Sequence, residues 1–229
     1  MAHLWESWAR FPTLCATIPA LDPLANQVPS SFAYLGPDFD RVPASGWRSH
    51  WPAADPRPLV LVSFTSTAAW DQTSRIQRTL DALADNSCRV LVTASLADVS
   101  SIRIPDNAWI VRRLPHGEVL PAVHAMVTHA GHGSVSLALA HGVPLVCLPN
   151  WPSDQPMIAA QVETLGAGRA LDGETATVEE IAQAVNDVLT NPAYGAAASR
   201  LAEEIATTHG AAEATSRLLR LGQAPGQAG

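Results

Sequence analysis

The stretch HAMVTHAGHGSVSLALAHGVPLVCLP, residues 124–149, carries one complete strand–helix–strand pattern. The apolar runs HAMVTH (124–129) and PLVCLP (144–149) each predict a buried strand. Between them, GSVSLALAHG predicts a helix that ends at Gly142, because Pro144 cannot continue it. Two strands joined by such a crossover are expected to lie parallel in one sheet.

The same alternation of strands and helices extends from this unit in both directions. Further buried strands are predicted at LVLVSF (59–64), RVLVTA (89–94), AWIVRR (108–113) and the short run GRAL. Helices are predicted at WDQTSRIQRTLDALADN, HGEVLPAV, DQPMIAAQVETLG and TVEEIAQAVNDVLTN, and again at about 192–208 and 211–221. Thr177 and Glu180 form a capping-box pattern at the start of one of these helices. Such alternation predicts an α/β domain with a parallel sheet.

Residues 1–57 have a different composition from the rest of the chain. They are rich in proline and tryptophan, show no long helical period, and contain one short apolar piece, LCATIPAL, that fits a strand. The run YLGPDFDRVPASGWRSHWPAADPRP (34–58) has linker composition, and a compact domain seldom contains a structureless stretch of this length. We therefore expect an irregular N-terminal segment over 1–57, a domain over 58–222 and a disordered tail over 223–229.

The composition narrows the functional class. The 229 residues carry a formal net charge of -7 and include no lysine, whereas nucleic-acid binding requires a basic patch or stripe. The three cysteines are widely spaced, form no CxxC pair, and are expected to be reduced and mostly buried. No run approaches the ~18 consecutive apolar residues of a membrane span, and the first residues lack the pattern of a signal peptide. We expect a cytoplasmic protein that binds no nucleic acid.

Ligands of parallel α/β sheets bind beyond the carboxyl ends of the strands. This rule selects three loops: TSTAAWD after the first strand of the domain, HAGHGS after the fourth and PNWPSDQP after the fifth. In HAGHGS, Gly131 and Gly133 permit close approach of a ligand to the backbone, and Ser134 lies near the start of a helix. The free N–H groups there, together with His129, favour a phosphate or diphosphate. The alternative is a structural turn in which Ser134 only caps the helix.

Three other kinds of site fit this loop less well. His124, His129 and His132 suggest a metal cluster by number, but His124 and His129 lie at opposite ends of a strand, more than about 15 Å apart. A nucleophile elbow needs G-x-S-x-G, and Ser134 has no such flanking glycine pair. The dinucleotide fingerprint G-x-G-x-x-G fails because Ser136 stands in place of its third glycine. No metal is expected.

The loop PNWPSDQP offers a second polar pair. Asp154 is a candidate N-cap for the following helix, but Asp154 and Gln155 together also suit sugar hydroxyls, because a carboxylate accepts hydrogen bonds and an amide both donates and accepts them. His116, which follows Pro115, borders a flat base-binding site or is an ordinary surface histidine at a strand–helix junction. The residues alone leave both pairs of alternatives open.

The whole segment 115–168, PHGEVLPAVHAMVTHAGHGSVSLALAHGVPLVCLPNWPSDQPMIAAQVETLGAG, resembles the donor-binding signature of nucleotide-sugar-dependent glycosyltransferases of the GT-B fold. It is similar to the bacterial branch that decorates macrolides, glycopeptides and other natural products. PLVLVSFTSTAAW resembles the first strand and loop of the C-terminal domain of that family, and the matches run from about residue 58 to 190. The resemblance implies a Rossmann-like three-layer α/β domain, the C-terminal half of a GT-B glycosyltransferase.

The resemblance also implies a role for each matching residue. The donor diphosphate would be held by His129, Gly131, Gly133, Ser134, Ser66 and Thr67. The donor sugar would be held by Asp154 and Gln155. The nucleobase would be bordered by His116, Arg113 and Leu114. The implied co-substrate is a UDP- or dTDP-sugar, transferred without a metal or other cofactor to the hydroxyl of a small lipophilic natural-product acceptor.

The sequence departs from the family in its base and ribose contacts and in its N-terminal part. Leu137 stands where many relatives carry a glutamate that binds ribose, and RRLPH stands where many carry a base-stacking tryptophan. Relatives also have an N-terminal acceptor domain with a histidine that acts as general base. Residues 1–57 match only the last piece of that domain and the linker, and His3 has no preceding strand. No catalytic residue is assigned, and this chain alone is expected to bind donor without transferring sugar.

The remaining alternatives concern what this domain works with. One is a non-catalytic nucleotide-sugar-binding subunit of a split glycosyltransferase, acting with a separate acceptor-binding chain or as a homo-oligomer. The tryptophans of residues 1–57 fit this alternative as well as an incomplete enzyme, because apolar surface made to pack on a second domain needs a partner. A GT-B-like epimerase of sugar nucleotides is less favoured, since the matches follow the transferase signature.

Overall fold

The computed structural model describes residues 11–39, 45–64, 72–85 and 87–223. These residues divide into two compact units. The first unit takes in the described residues up to 39 and those from Glu203 on, and the second takes in residues 45–202. Ser66 and Thr67, which the sequence assigned to the donor diphosphate, lie outside the described residues.

The first unit contains a small parallel sheet of two strands, β1 (Thr13–Cys15) and β2 (Phe32–Tyr34). β1 overlaps the predicted strand LCATIPAL, whereas β2 was not predicted, so this segment is less irregular than its composition indicates. Gly36 has φ +85°, and a Cβ at this position would overlap the side chain of Thr208. Thr208, in the C-terminal part of this unit, therefore packs directly against the N-terminal segment.

The second unit alternates strands and helices along the chain. Its elements are β3 (Leu59–Ser63), α1 (Thr73–Ala82), β4 (Arg89–Thr93), β5 (Ala108–Val111), α2 (His116–Val119), β6 (Ala125–Thr128), α3 (His132–Ala140), β7 (Leu145–Cys147), α4 (Gln155–Thr164), β8 (Gly168–Ala170) and α5 (Val178–Thr190). A 3-10 turn at Leu120–Ala122 follows α2, and the chain continues through α6 (Pro192–Ala206) and α7 (Gly210–Gln223). Each strand and helix predicted between residues 59 and 221 is present within a few residues of its predicted position.

The six strands of the second unit form one parallel sheet in the order β5-β4-β3-β6-β7-β8. The chain starts at the centre with β3, builds outward to β5, and then returns to the other side of β3 with β6. This reversal creates a switch point between β3 and β6, and parallel α/β sheets bind ligands in the crevice at such points. The prediction of an α/β domain with a parallel sheet is confirmed.

The strands are continuous apolar runs because both faces of this sheet are covered. All residues of β3 and β6 are buried, and Leu61 and Met126 have no exposed surface. α5 contacts β6, β7 and α1, and its buried residues recur at the helical period: Ile181, Ala184, Val185 and Val188. The predicted capping box of α5 is confirmed, since the Glu180 N–H donates to Thr177 Oγ1 at 3.2 Å and the Thr177 N–H donates to the Glu180 carboxylate at 2.8 Å.

Residues 45–57, predicted as part of a linker, group with the second unit. The Glu118 carboxylate on α2 accepts hydrogen bonds from the backbone N–H and the hydroxyl of Ser45, the latter at 2.8 Å. His50 stacks on Trp109 of β5, with 4.9 Å between the ring centroids. The division of the structure therefore does not coincide with the predicted domain boundary, because these side-chain contacts join a segment of linker composition to the sheet.

Three expectations about the termini and cysteines can be compared with the structure. α7 runs to Gln223, so the first residue of the predicted tail is helical, and residues 224–229 lie outside the described residues. The cysteines are free, with Cys88 and Cys147 buried and Cys15 partly exposed, as expected. Within the described part of the chain, no helix combines the length and the apolarity needed to cross a membrane.

Candidate functional site

A cavity of about 320 Å³ opens at the carboxyl ends of β3, β4 and β6. The last residues of β3 and β4, Ser63 and Thr93, line it together with the first turn of α3 and the loop between β5 and α2. Its lining includes seven residues that the sequence assigned to the donor: His129, Gly131, Gly133, Ser134, His116, Arg113 and Leu114. The fold thus brings the proposed diphosphate and nucleobase residues to one space at the switch point.

α3 begins at this cavity with free backbone N–H groups. Gly131 is its N-cap residue and offers no side chain to cap the helix. The first N–H bonded within the helix is that of Val135, which donates to the Gly131 carbonyl at 3.0 Å. The N–H groups of His132, Gly133 and Ser134 have no intrahelical acceptor and carry the partial positive charge of the helix. The alternative in which Ser134 caps the helix is wrong, because Ser134 is its third residue.

His129 follows β6 directly and is only 8% exposed. Burial, and then the positive charge of Arg75, lower the pKa of His129 to about 4, although a hydrogen bond with the Ser63 backbone and the charge of Asp154 act in the opposite direction. The ring is therefore neutral at pH 7, with a proton on one nitrogen only. The single proton of the neutral ring can be donated to the Ser63 carbonyl or to an anion, but not to both, and the ring carries no full charge before an anion binds.

Gly131 is required by the position of the His129 ring. A Cβ at residue 131 would lie 2.5 Å from His129 Nε2, whereas a Cβ at Gly133 would meet nothing within 4 Å. The residue between His129 and Gly131 is Ala130, which is fully buried at φ +62°. This left-handed conformation costs a residue with a side chain about 1–2 kcal/mol. The HAG sequence is therefore a strained turn that holds the histidine ring against the start of α3.

A chain of hydrogen bonds links the ends of β3 and β4 to His116. The Thr93 hydroxyl donates to the Ser63 hydroxyl at 2.7 Å and lies 3.2 Å from His116 Nε2. Burial lowers the pKa of His116, so its ring is neutral at pH 7. With the Thr93 proton engaged by Ser63, His116 donates from Nε2 and keeps Nδ1 as an acceptor. His116 is a half-buried residue of the cavity rather than a free surface histidine.

Asp154 and Gln155, which the sequence assigned to the donor sugar, are not part of the cavity lining. Asp154 is exposed and occupies the N-cap position of α4 without a side-chain capping bond. Gln155 is 7% exposed, and its Oε1 accepts hydrogen bonds from the backbone N–H and from Nδ2 of Asn150, both at 2.9 Å. The buried guanidinium of Arg75 donates in turn to Asn150 Oδ1 and to the Gly173 carbonyl. The loop between β7 and α4 is therefore held in place by hydrogen bonds to buried side chains.

Several residues at the site were not predicted. Ser63 and Thr93 are each the last but one residue of a predicted strand, so polar residues near the carboxyl ends of the predicted strands were the available signal. Ser95 lies in a loop that no periodicity marks, and Arg112 falls within the predicted strand AWIVRR but follows the observed end of β5 at Val111. Arg75 has the sequence pattern of a surface residue on an amphipathic helix, yet it is only 5% exposed. No local signal in the sequence distinguishes such a buried arginine.

The three histidines that suggested a metal cluster lie apart in the fold. His124 is at the amino end of β6, where its Nδ1 accepts a hydrogen bond from the Leu59 N–H at 3.2 Å. His129 and His132 follow the carboxyl end of the same strand. Among the residues that the structure describes, no group of three or more histidine, cysteine, aspartate or glutamate side chains could hold a metal ion.

Residues 77–221 match the family described as erythromycin biosynthesis protein CIII-like, C-terminal domain. The chain belongs to this family. The matched range runs from α1 to α7 and includes the first turn of α3 and the loop between β5 and α2. This membership confirms the resemblance of residues 115–168 to natural-product glycosyltransferases.

Known glycosyltransferases resemble the chain in sequence and in fold. It is 32% identical over 209 residues to 4'-demethylrebeccamycin synthase of Lentzea aerocolonigenes, a match that covers 88% of this chain and 48% of that protein. The glycotransferase of kitacinnamycin is 27% identical with a TM-score of 0.80, over 90% of this chain and 54% of that one. The glycosyltransferase VinC, solved in complex with dTDP, is 26% identical with a TM-score of 0.64, over 73% and 42%. The chain spans about half the length of the curated relatives it matches.

Proposed function

We propose that the second unit binds the nucleotide-sugar donor of a glycosyltransferase that modifies the hydroxyl of a small lipophilic natural product. The cavity at the switch point between β3 and β6 carries this proposal, because free N–H groups of α3, neutral His129 and half-buried His116 all face one space. Membership of the erythromycin CIII-like family supports it. The similarity to a glycosyltransferase that was solved with dTDP supports it further.

The donor diphosphate would lie at the start of α3. The N–H groups of His132, Gly133 and Ser134, together with the Ser134 hydroxyl, can donate hydrogen bonds to phosphate oxygens. The helix dipole adds on the order of 0.3–1 kcal/mol, and more where the anion is partly buried. Ser66 and Thr67, which follow β3 in the sequence, would complete the proposed diphosphate ligands.

His129 would assist the departure of the nucleoside diphosphate. An anion beside the ring raises the pKa of His129, because it favours the charged form. The ring donates to a phosphate oxygen, and this bond strengthens as the C1–O bond of the sugar breaks and negative charge builds up on the leaving group. The acceptor oxygen forms the new bond to C1, and its proton passes to a base outside the residues assigned here. This route uses no metal ion.

The two ends of the donor would lie on either side of the diphosphate. The nucleobase would be bordered by His116, Arg113 and Leu114, at the loop between β5 and α2. The sugar would extend towards Asp154 and Gln155, in the next loop along the edge of the sheet. We propose a UDP- or dTDP-sugar as the donor, and one base site can accept either, since uracil and thymine present the same hydrogen-bonding groups and differ by one methyl group.

The acceptor would be bound by polypeptide other than the two units described. Because the chain spans about half the length of its relatives, we propose that further polypeptide, a separate chain or a second copy provides the acceptor pocket and the base. The same coverage favours a second candidate function, a non-catalytic nucleotide-sugar-binding subunit of a split glycosyltransferase. In either case the 229-residue chain binds donor in the cytoplasm and does not transfer sugar alone.

Isothermal titration calorimetry of the chain with dTDP and with UDP tests the proposal. We expect saturable binding of at least one nucleotide, and we expect His129→Ala to weaken it by about tenfold or more, since a hydrogen bond to a charged group contributes roughly 1.5–3 kcal/mol. His141→Ala, an exposed histidine at the other end of α3, is the matched control and should bind as the wild type does.

Three results would contradict parts of this proposal. Failure of the wild-type chain to bind either nucleotide would reject the donor site. Unchanged affinity in the His129→Ala variant would place the diphosphate elsewhere. Sugar transfer to a phenolic or polyketide acceptor by the isolated chain would show that the base lies within these 229 residues.

A further inference from the structure

We propose that Arg75 and Asn150 are positioning residues that hold Gln155 in one orientation, with its amide N–H groups directed to the donor sugar. This inference rests on the proposed function, in which Gln155 contacts that sugar. It is carried by a buried chain of hydrogen bonds that runs from α1 through the loop between β7 and α4. This series of hydrogen bonds determines whether the oxygen or the nitrogen of each amide side chain faces a given neighbour.

Arg75 fixes the direction of this series of hydrogen bonds, because its side chain can only donate. Its guanidinium is buried, lies 5.5 Å from the centroid of the Phe64 ring, and donates from Nε to the Gly173 carbonyl at 3.1 Å. An arginine side chain has five N–H donors, no acceptor, and stays protonated in proteins. The atom of Asn150 that meets Arg75 Nη1 must therefore be the carbonyl oxygen, Oδ1.

Asn150 transmits this constraint to Gln155. Asn150 has no exposed surface, and with Oδ1 committed to Arg75 its Nδ2 points to Gln155 Oε1 at 2.9 Å. The backbone N–H of Asn150 donates to the same oxygen at 2.9 Å. Two donors converge on one atom of Gln155, so that atom must be an acceptor. A reversed amide at Gln155 would place its own N–H groups against these two donors.

The orientation leaves Gln155 with one kind of hydrogen bond to offer a ligand. Its Oε1 is occupied, and no described residue accepts a hydrogen bond from Nε2. An ordinary glutamine can donate or accept, but this one presents only donors. The exposed carboxylate of the preceding residue, Asp154, presents only acceptors. The pair therefore sets a direction: one sugar hydroxyl donates to Asp154, and a sugar oxygen accepts from Gln155.

The Asn150→Asp variant tests whether the hydrogen bonds of Arg75 and Asn150 orient the side chain of Gln155. The introduced carboxylate would still accept from Arg75, but it would have no side-chain N–H for Gln155, and its second oxygen would attract Nε2 inward. The measurement is the ratio of the dissociation constants of nucleoside diphosphate and nucleotide sugar, using dTDP with dTDP-glucose and UDP with UDP-glucose. The added negative charge repels the more highly charged nucleoside diphosphate more than the nucleotide sugar, so by itself it would raise this ratio rather than lower it. We expect it to fall about fivefold, the size of one hydrogen bond.

Two further variants separate orientation from folding and charge. Arg75→Lys keeps an obligate donor at Asn150 and should hold the ratio within about twofold of the wild-type value. Asn186→Asp makes the same chemical change at an exposed position on α5 and should leave the ratio unchanged. Circular dichroism and thermal unfolding establish that each variant is folded.

A series of nucleotide sugars tests the orientation without changing the protein. In the series, each ring hydroxyl of glucose is replaced in turn by fluorine, which accepts a hydrogen bond weakly and cannot donate one. The wild-type chain should tolerate fluorine at the hydroxyl beside Gln155 with less than about threefold loss, and it should lose more at the hydroxyl that donates to Asp154. If every position loses affinity equally, Gln155 does not act as a fixed donor.

The outcomes distinguish this inference from the function on which it rests. Normal nucleotide binding with an unchanged ratio in folded Asn150→Asp would overturn the positioning role and leave the donor site standing. Absence of nucleotide binding by the wild-type chain would overturn the donor site itself. A ratio that falls in Asn150→Asp but holds in Arg75→Lys and Asn186→Asp would support the inference.

Discussion

Two loops at the same edge of the sheet differ in how their polar groups are bonded. The loop between β6 and α3 leaves three N–H groups of the helix free and places neutral His129 beside them. The loop between β7 and α4 turns Asn150 and the Oε1 of Gln155 inward, onto a buried arginine and onto each other. A polar residue after a parallel strand is thus available to a ligand only where the protein has not already used its donors and acceptors.

The cause of this difference is local in the first loop and comes from a distant residue in the second. In the first loop the N-cap is Gly131, which cannot cap the helix, so the N–H groups of α3 remain unpaired. In the second loop the buried charge of Arg75 must be hydrogen-bonded, because an unsatisfied buried charge is costly. Asn150 and the Gly173 carbonyl supply acceptors for it.

The largest expected effect would come from breaking the inner support of the second loop. Arg75→Met leaves Asn150 Oδ1 and the Gly173 carbonyl without their charged donor, and we expect the free energy of unfolding to fall by about 3 kcal/mol. Urea denaturation measures this change. Arg103→Met, at a side chain that is 81% exposed, is the control and should change stability by less than about 0.5 kcal/mol. If Arg75→Met is as stable as the wild type, the hydrogen bonds of Arg75 do not stabilise the second loop.

The next largest effect is a pH dependence that belongs to the first loop. The pKa of His129 is about 4 in the folded chain and 6.5 in an ordinary histidine, so the unfolded chain binds more protons between these values. Stability is therefore lost as the pH falls from about 6.5 towards 4, by about 2 kcal/mol between pH 7 and pH 5. His129→Gln removes the titrating group.

Comparison of the two pH profiles isolates the contribution of His129. Carboxyl groups and His116 titrate in both proteins, so their contributions cancel in the difference. We expect the loss in stability between pH 7 and pH 5, measured by urea denaturation, to be smaller in His129→Gln. Parallel profiles for the two proteins would show that burial does not hold the ring neutral.

A smaller effect on stability should accompany a change at the strained turn. Gly131→Ala places a Cβ against the His129 ring and is expected to cost about 1–2 kcal/mol of stability and to weaken nucleotide binding as His129→Ala does. Gly133→Ala meets no neighbour and should be neutral or slightly stabilising. In a His129→Ala background, Gly131→Ala should cost less, because the ring that it displaces is gone. An equal cost in both backgrounds would mean that Gly131 serves a purpose other than clearance of the ring.

The candidate site was predicted to different extents in these two loops. For His129, Gly131, Gly133 and Ser134, a strand, a glycine turn and a helix start that are adjacent in the chain make an anion site one of two alternatives, and the resemblance to the family favours it. The orientation of Gln155 could not be predicted, because it depends on Asn150 and, through Asn150, on Arg75, which lies 75 residues before Asn150. The contacts of the predicted linker likewise depend on distant residues, since Glu118, 73 residues later, binds Ser45.

The alternation of strands and helices, the parallel direction of the sheet and the turn that begins α3 follow from local patterns of residues along the chain. Apolar runs, caps and glycines act over a few residues, so their consequences can be derived locally. The folded protein alone shows that β6 lies beside β3, which of the loops share a cavity, that His129 is neutral and that Gln155 has one orientation. Strand order, burial and the pairing of buried charges depend on contacts between residues far apart in the chain.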